Sequence, residues 1–95
     1  MVKHIVMWRL HQNIAENRAM IKDLLNKLPA VIPELKSLDV GEDINRGPVA
    51  YDLVLITTHA DTADLQKYQK HSEHVSVAKR ITELARDRVV VDFEY

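Results

Sequence analysis

The chain has 95 residues, enough for one domain with a modest core of its own. Thirteen Lys and Arg against fourteen Asp and Glu leave a net charge of −1, without the clustered basic excess that a nucleic-acid or anionic-membrane surface needs. The absence of cysteine excludes disulfides, thiolate nucleophiles and Cys-ligated metals.

Residues 2–10 alternate as a strand does. Val2, His4, Val6, Trp8 and Leu10 fall on one face, and Lys3, Ile5, Met7 and Arg9 on the other. Large apolar side chains on both faces predict that both meet something. The same stretch, interrupted by Lys3, His4 and Arg9, is no signal peptide, and no segment approaches the roughly 18 apolar residues of a membrane span, so the expected location is cytoplasmic. Asn13, with Glu16 three residues on, reads as a variant capping box for a helix with Ile14, Ile21, Leu24, Leu25 and Leu28 on its inner stripe. Pro29 and Pro33 close it, because the residue before a proline avoids the helical region.

Residues 35–43 read as a second, weaker strand, and residues 42–48 as a hairpin loop with Asn-Arg-Gly-Pro turn chemistry. The near-continuous apolar run at 51–58 predicts a third strand buried on both faces, hence central. Asp61 is expected to cap the next helix, with Leu65 and Tyr68 on its inner side. Ser72 reads as a second N-cap, so the helix breaks near His71 and restarts with Val77, Ala78, Ile81, Leu84 and Ala85 inward. Residues 88–95 form the last strand.

The resulting order, β-α-β-β-α-β in a single domain over 1–95, is the ferredoxin-like pattern of an α+β fold: a four-stranded antiparallel sheet with both helices on one face. Ile5 and Met7 would then be bare on the other face, and Val89, Val90 and Val91 would form an aggregation-prone edge. Two sheets packed face to face as a homodimer remove both problems.

Five stretches together resemble the stress-responsive A/B barrel (Dabb) family over essentially the whole chain. They are Val2-Lys3-His4-Ile5-Val6, Pro33-Glu34-Leu35, Tyr51-Asp52-Leu53-Val54-Leu55, the segment from Tyr68 through His71 to His74-Val75, and Asp87-Arg88-Val89-Val90-Val91-Asp92-Phe93. The resemblance implies a dimeric α+β barrel. It also implies, by likeness to a polyketide cyclase of the family, a site with Tyr68 and His74 as the acting pair and with His4 and His71 beside them. The expected lining is His4, Val6, Trp8, Ile21, Leu25 and His71. Ser72 departs from the family, which usually has proline after the first histidine, and the aliphatic Ile21, Leu24 and Leu25 replace the cyclase's aromatics, so the cyclase reaction itself is not expected to carry over.

The residues point to a cofactor-free chemistry. An imidazole titrates near neutral pH, so His74 can take a proton α to a carbonyl, while Tyr68 donates a hydrogen bond to the developing enolate. A structural role competes with this, because a histidine beside a helix restart readily bonds the backbone and a buried tyrosine needs a partner for its hydroxyl. His71 and His74 at i, i+3 with His4 form the only candidate zinc set. No carboxylate accompanies them, so neither metal nor cofactor is expected. A backbone-carbonyl cation site in the turn at 29–35 would leave no trace in the sequence. His11 and His59 read as strand-end residues near the surface with no role, Trp8 as core, and Asp92 as an outward edge carboxylate or a partner of Arg86 or Arg88. Two classes follow: a stable homodimer with a small apolar ligand pocket, or a cyclase-, isomerase- or monooxygenase-like enzyme for a small carbonyl compound. An open pocket of roughly 300 Å³ favours binding or catalysis, and a collapsed core favours a structural role.

Overall fold

The computed structural model describes all residues, 1–95. The chain runs β1 (Val2–Leu10), α1 (Ala15–Asn26), a 3₁₀ turn at Leu28–Ala30, β2 (Ser37–Glu42), β3 (Leu53–His59), α2 (Thr62–Lys70), α3 (Ser72–Leu84) and β4 (Ala85–Glu94). The strands form one antiparallel sheet in the order β2-β3-β1-β4, the ferredoxin-like arrangement. No helix is long and apolar enough to cross a membrane.

Alternation along β1 sets the layers. Val2, His4, Val6, Trp8 and Leu10 are buried beneath the helices, while Met7 on the other face is exposed. Ile21, Leu25, Leu28, Ile32 and Leu35 come down from α1 and the turn after it, and Leu65, Tyr68 and Ile81 from α2 and α3. The other face collects Ile5 and Met7 of β1, Val54 and Ile56 opposite them on β3, and Val91 and Val89 opposite them on β4. Val91 is 61% exposed and Phe93, on the same face, 42%.

β3 is central as expected, but in the single chain it is buried on one face only: Leu53, Leu55, Thr57 and His59 are buried, and Val54, Ile56 and Thr58 are half-exposed. It begins at Leu53, and the backbone of Asp52 just before it still bonds to Trp8 O and Asp43 N. The Asp52 carboxylate accepts from Leu10 N at 2.8 Å and from Asn13 Nδ2 at 3.0 Å. That bond also corrects the first helix cap. Asn13 Oδ1 accepts from Arg18 Nη1, so the whole Asn13 amide is engaged elsewhere. Ile14 occupies the cap position with no side-chain bond, 46% exposed rather than in the inner stripe. In the β2–β3 loop the left-handed residue is Arg46 (φ 59°), not Gly47, held by Asp43 carboxylate bonds to the N–H groups of Asn45 and Arg46.

Asp61 caps α2 by accepting from Asp64 N at 2.8 Å. The restart at α3 is capped by His71 rather than Ser72: the His71 Nδ1 accepts from Glu73 N at 3.1 Å, and Ser72 is the first helical residue. His71 has φ −60° and ψ 136°, the backbone that a following proline requires. The first helical position has no intrahelical partner for its N–H, so it accepts proline without loss. Ser72→Pro is therefore expected to leave stability unchanged or to raise it by about 0.4–1 kcal/mol. His71→Ala is expected to cost about 1 kcal/mol. Urea unfolding of the two variants checks this, and a loss on Ser72→Pro larger than that of His71→Ala would return the cap to Ser72.

Candidate functional site

One corner of the helix-facing sheet is polar. His4 on β1 lies opposite Thr57 on β3 and opposite Asp92 on β4. His59 follows Thr57 on the same inward parity, and the Tyr68 ring closes over the group from α2. Its centroid lies 4.8 Å from His59, 4.5 Å from His74 and 6.4 Å from His4. His4, Thr57, His59 and Tyr68 are all buried.

The hydrogen bonds assign most of the protons. The His4 Nδ1 is paired with the Asp92 carboxylate, which orients the ring and leaves Nε2 without a partner in the chain. His59 Nδ1–H donates to the Glu34 carbonyl at 2.9 Å, and its Nε2 accepts from the Thr57 hydroxyl at 2.9 Å, so both its nitrogens are used. His74 Nδ1–H donates to the Gln69 carbonyl at 3.0 Å, leaving its Nε2 lone pair free. Burial pushes the pKa values of His59 and His74 below the ordinary 6.5; the positive charge of Arg88 adds to this at His74. The Tyr68 hydroxyl has no hydrogen-bond partner, and burial pushes it up to about 12, so it stays protonated as a donor.

A cavity of about 50 Å³ opens beside this corner, lined chiefly by His4, Val6, Trp8, Leu25, His74 and Arg88. That is room for one or two waters or a molecule of a few heavy atoms, far below the roughly 300 Å³ of a drug-sized pocket. Of the residues expected at the site, His4, Val6, Trp8, Leu25 and His74 reach the cavity. Ile21 is wholly buried in the core, Tyr68 stands behind His74 without reaching the wall, and His71 is turned to its capping bond. No three His, Asp or Glu side chains converge as metal ligands.

Two expectations are corrected. His59 is no surface residue: it is fully buried, because Leu53 and Leu55 fix the parity of β3 and carry Thr57 and His59 inward with them. Asp92 pairs with His4 across the strands and with neither arginine; Arg86 instead approaches Asp87 at 3.6 Å. Both placements follow from two-residue alternation continued to the strand ends.

A family model for the stress responsive A/B barrel domain matches residues 2–95. No curated protein matches the chain. Among solved structures, a dimeric ferredoxin-like protein of unknown function from Thermobifida fusca is 28% identical, with a TM-score of 0.88 over 99% of this chain and 90% of that one. A dimeric protein of unknown function and ferredoxin-like fold from Bacteroides fragilis is 29% identical, with a TM-score of 0.85 over 99% and 95%. A hydroxynitrile lyase from Passiflora edulis, 22% identical, shares the fold with a TM-score of 0.83 over 97% and 90%.

The depressed histidines make stability depend on pH with a definite sign. Their folded pKa values lie below the unfolded one, so below about pH 6.5 the unfolded chain binds more protons than the folded chain. Unfolding free energy is expected to be level above about pH 7.5 and to fall between about pH 7 and 5. Urea titrations across that range check it. The decline should be shallower in His74→Gln, and an unchanged slope in that variant would show that the ring does not titrate as its burial requires.

Proposed function

The chain belongs to the stress-responsive A/B barrel domain family, and we propose that it acts as a homodimer whose small cavity binds a molecule of a few heavy atoms. The binding reading is carried by two imidazole nitrogens of cavity-lining residues that have no partner in the chain, Nε2 of His4 and Nε2 of His74. At about 50 Å³ the cavity is far below the volume that favours a larger ligand, which restricts this reading to very small molecules. Apolar walls from Val6, Trp8, Leu25, Val77 and Ile81 supply the rest of the contact.

The homodimer is supported by the sheet face away from the helices. Ile5, Met7, Val54, Ile56, Val89, Val91 and Phe93 make a contiguous apolar surface of the kind that single soluble chains rarely leave open. A second copy laid against it would bury it and cover the β4 edge.

One observation favours an enzymatic second reading, the tautomer of His74. With Nδ1–H held by Gln69 and Nε2 free, the neutral ring is a ready base for a proton α to a carbonyl, and needs no cofactor. Tyr68 as donor to the enolate would require its hydroxyl to become accessible. A cavity of about 50 Å³ does not accommodate a polyketide chain, so the proposed substrate is a small carbonyl compound.

Sedimentation at micromolar concentration is expected to give twice the chain mass of 10.9 kDa, and Val91→Lys to give a less stable monomer. A folded 10.9-kDa species from the unaltered chain would refute the dimer. For the cavity, two- to four-carbon carbonyl and hydroxyl compounds are expected to shift the His74 side-chain resonances saturably. The same compounds should shift the His4 ring resonances, and His74→Ala should lose that His4 response with little change in melting temperature. A variant that merely melts earlier, in a protein that binds nothing of this size, would make the histidine structural.

A further inference from the structure

Arg88 lines the cavity yet holds nothing in the fold. It sits on β4 directly opposite Trp8, on the helix-facing side, with His4 and His74 across the opening. The ion pairs of the chain engage Arg9, Arg18, Lys22, Arg80 and Arg86, and none reaches Arg88. The two carboxylates of its own strand before Glu94 pair with other residues: Asp92 with His4, and Asp87 with Arg9 and Arg86. No hydrogen bond to a side chain or backbone oxygen uses its guanidinium either. The result is a solvent-exposed cation, unpaired within the chain, among the residues that line a mostly apolar cavity.

We propose that the ligand of this cavity is a small monocarboxylate, its carboxylate held by Arg88 and its carbon skeleton directed between Trp8 and His74. This deepens the small-molecule reading above and rests on it. A planar guanidinium fork matches a carboxylate with two parallel hydrogen bonds, which fixes orientation as well as adding energy. With one end of so small a molecule fixed, the other is directed toward the free Nε2 atoms. Burial is the main cause that keeps His74 neutral and the Arg88 charge adds to it, whereas a carboxylate bound at Arg88 offsets the Arg88 part. The cavity of about 50 Å³ limits the skeleton to a few carbons.

Acetate and acetamide are nearly the same shape and differ in charge, which makes them the probes. With the full chain labelled at histidine nitrogen, acetate is expected to shift the His74 and His4 Nε2 resonances saturably, at about ten-fold lower concentration than acetamide. Sodium chloride serves as the ionic-strength match. Arg88→Gln, which removes no hydrogen bond or ion pair of the chain, is expected to abolish the preference while leaving melting and sedimentation unchanged. Equal responses to acetate and acetamide, or an acetate response that survives Arg88→Gln, would overturn the carboxylate and leave the small-molecule site standing. A chloride response as large as that of acetate would likewise overturn it, in favour of a simple anion site. Silence from all three probes would remove both readings.

Discussion

Two-residue alternation in β1 governs this molecule. The strand lies between β3 and β4, so each of its side chains must suit one of two environments: the layer under the helices or the opposite sheet face. Val6, Trp8 and Leu10 suit the first, and Ile5 and Met7 suit an apolar partner on the second. A slip of one residue would place Lys3 and Arg9 under the helices and break every pairing around His4. The register with β3 and β4 is thus fixed by burial on one face and by the need for a cover on the other. The same register carries Thr57 and Asp92 to either side of His4.

The polar corner is costly for a chain of this size, and most of its cost is offset locally. His59 is satisfied at both nitrogens by Thr57 and by the Glu34 carbonyl, which ties β3 to the segment after α1. That is a structural histidine, and its burial without charge is stabilising only while the ring stays neutral. His4 is anchored by a half-exposed carboxylate, an arrangement that orients the ring without burying a second charge. Tyr68 is left short, its ring packed among three imidazoles and its hydroxyl unpaired, as is one carboxylate oxygen of Glu34. The Tyr68 hydroxyl lies behind His74, away from the cavity wall, whereas Arg88, exposed and unpaired within the chain, is one of the residues that line it.

Element order and inner faces were readable because they depend on period alone. Val2 to Leu10 announces a strand with two meaningful faces, and Asp61 announces the cap it makes. What was not readable depended on competition between partners. Asn13 has every feature of an N-cap, but Arg18 takes its side-chain oxygen and Asp52, remote in sequence, its NH2 group, and the helix starts without it. Ser72 looks like the cap of α3, but His71 beside it has a ring nitrogen already in place. Asp92 had two arginines as near neighbours in sequence and pairs instead with a histidine 88 residues away, across the sheet. His59 was legible in principle, since it shares the parity of Leu53 and Leu55; the rarity of histidine in a core obscured it. The size of the cavity has no sequence signature at all, because it is the residue of packing among Val6, Trp8, Leu25 and Ile81.

The break between α2 and α3 links the fold to the chemistry. In an unbroken helix the Glu73 N–H would bond the Gln69 carbonyl four residues back. Here the chain turns extended at His71, whose ring takes the Glu73 N–H, and the Gln69 carbonyl is left as an orphan of the helix end. His74 Nδ1–H fills that vacancy. The exchange settles which nitrogen of His74 carries the proton, and so leaves Nε2 with its lone pair free. A continuous helix would satisfy Gln69 through the backbone and remove the bond that fixes the ring. The two histidines three residues apart therefore have unlike tasks: His71 terminates one helix and starts another, and that interruption makes His74 an acceptor.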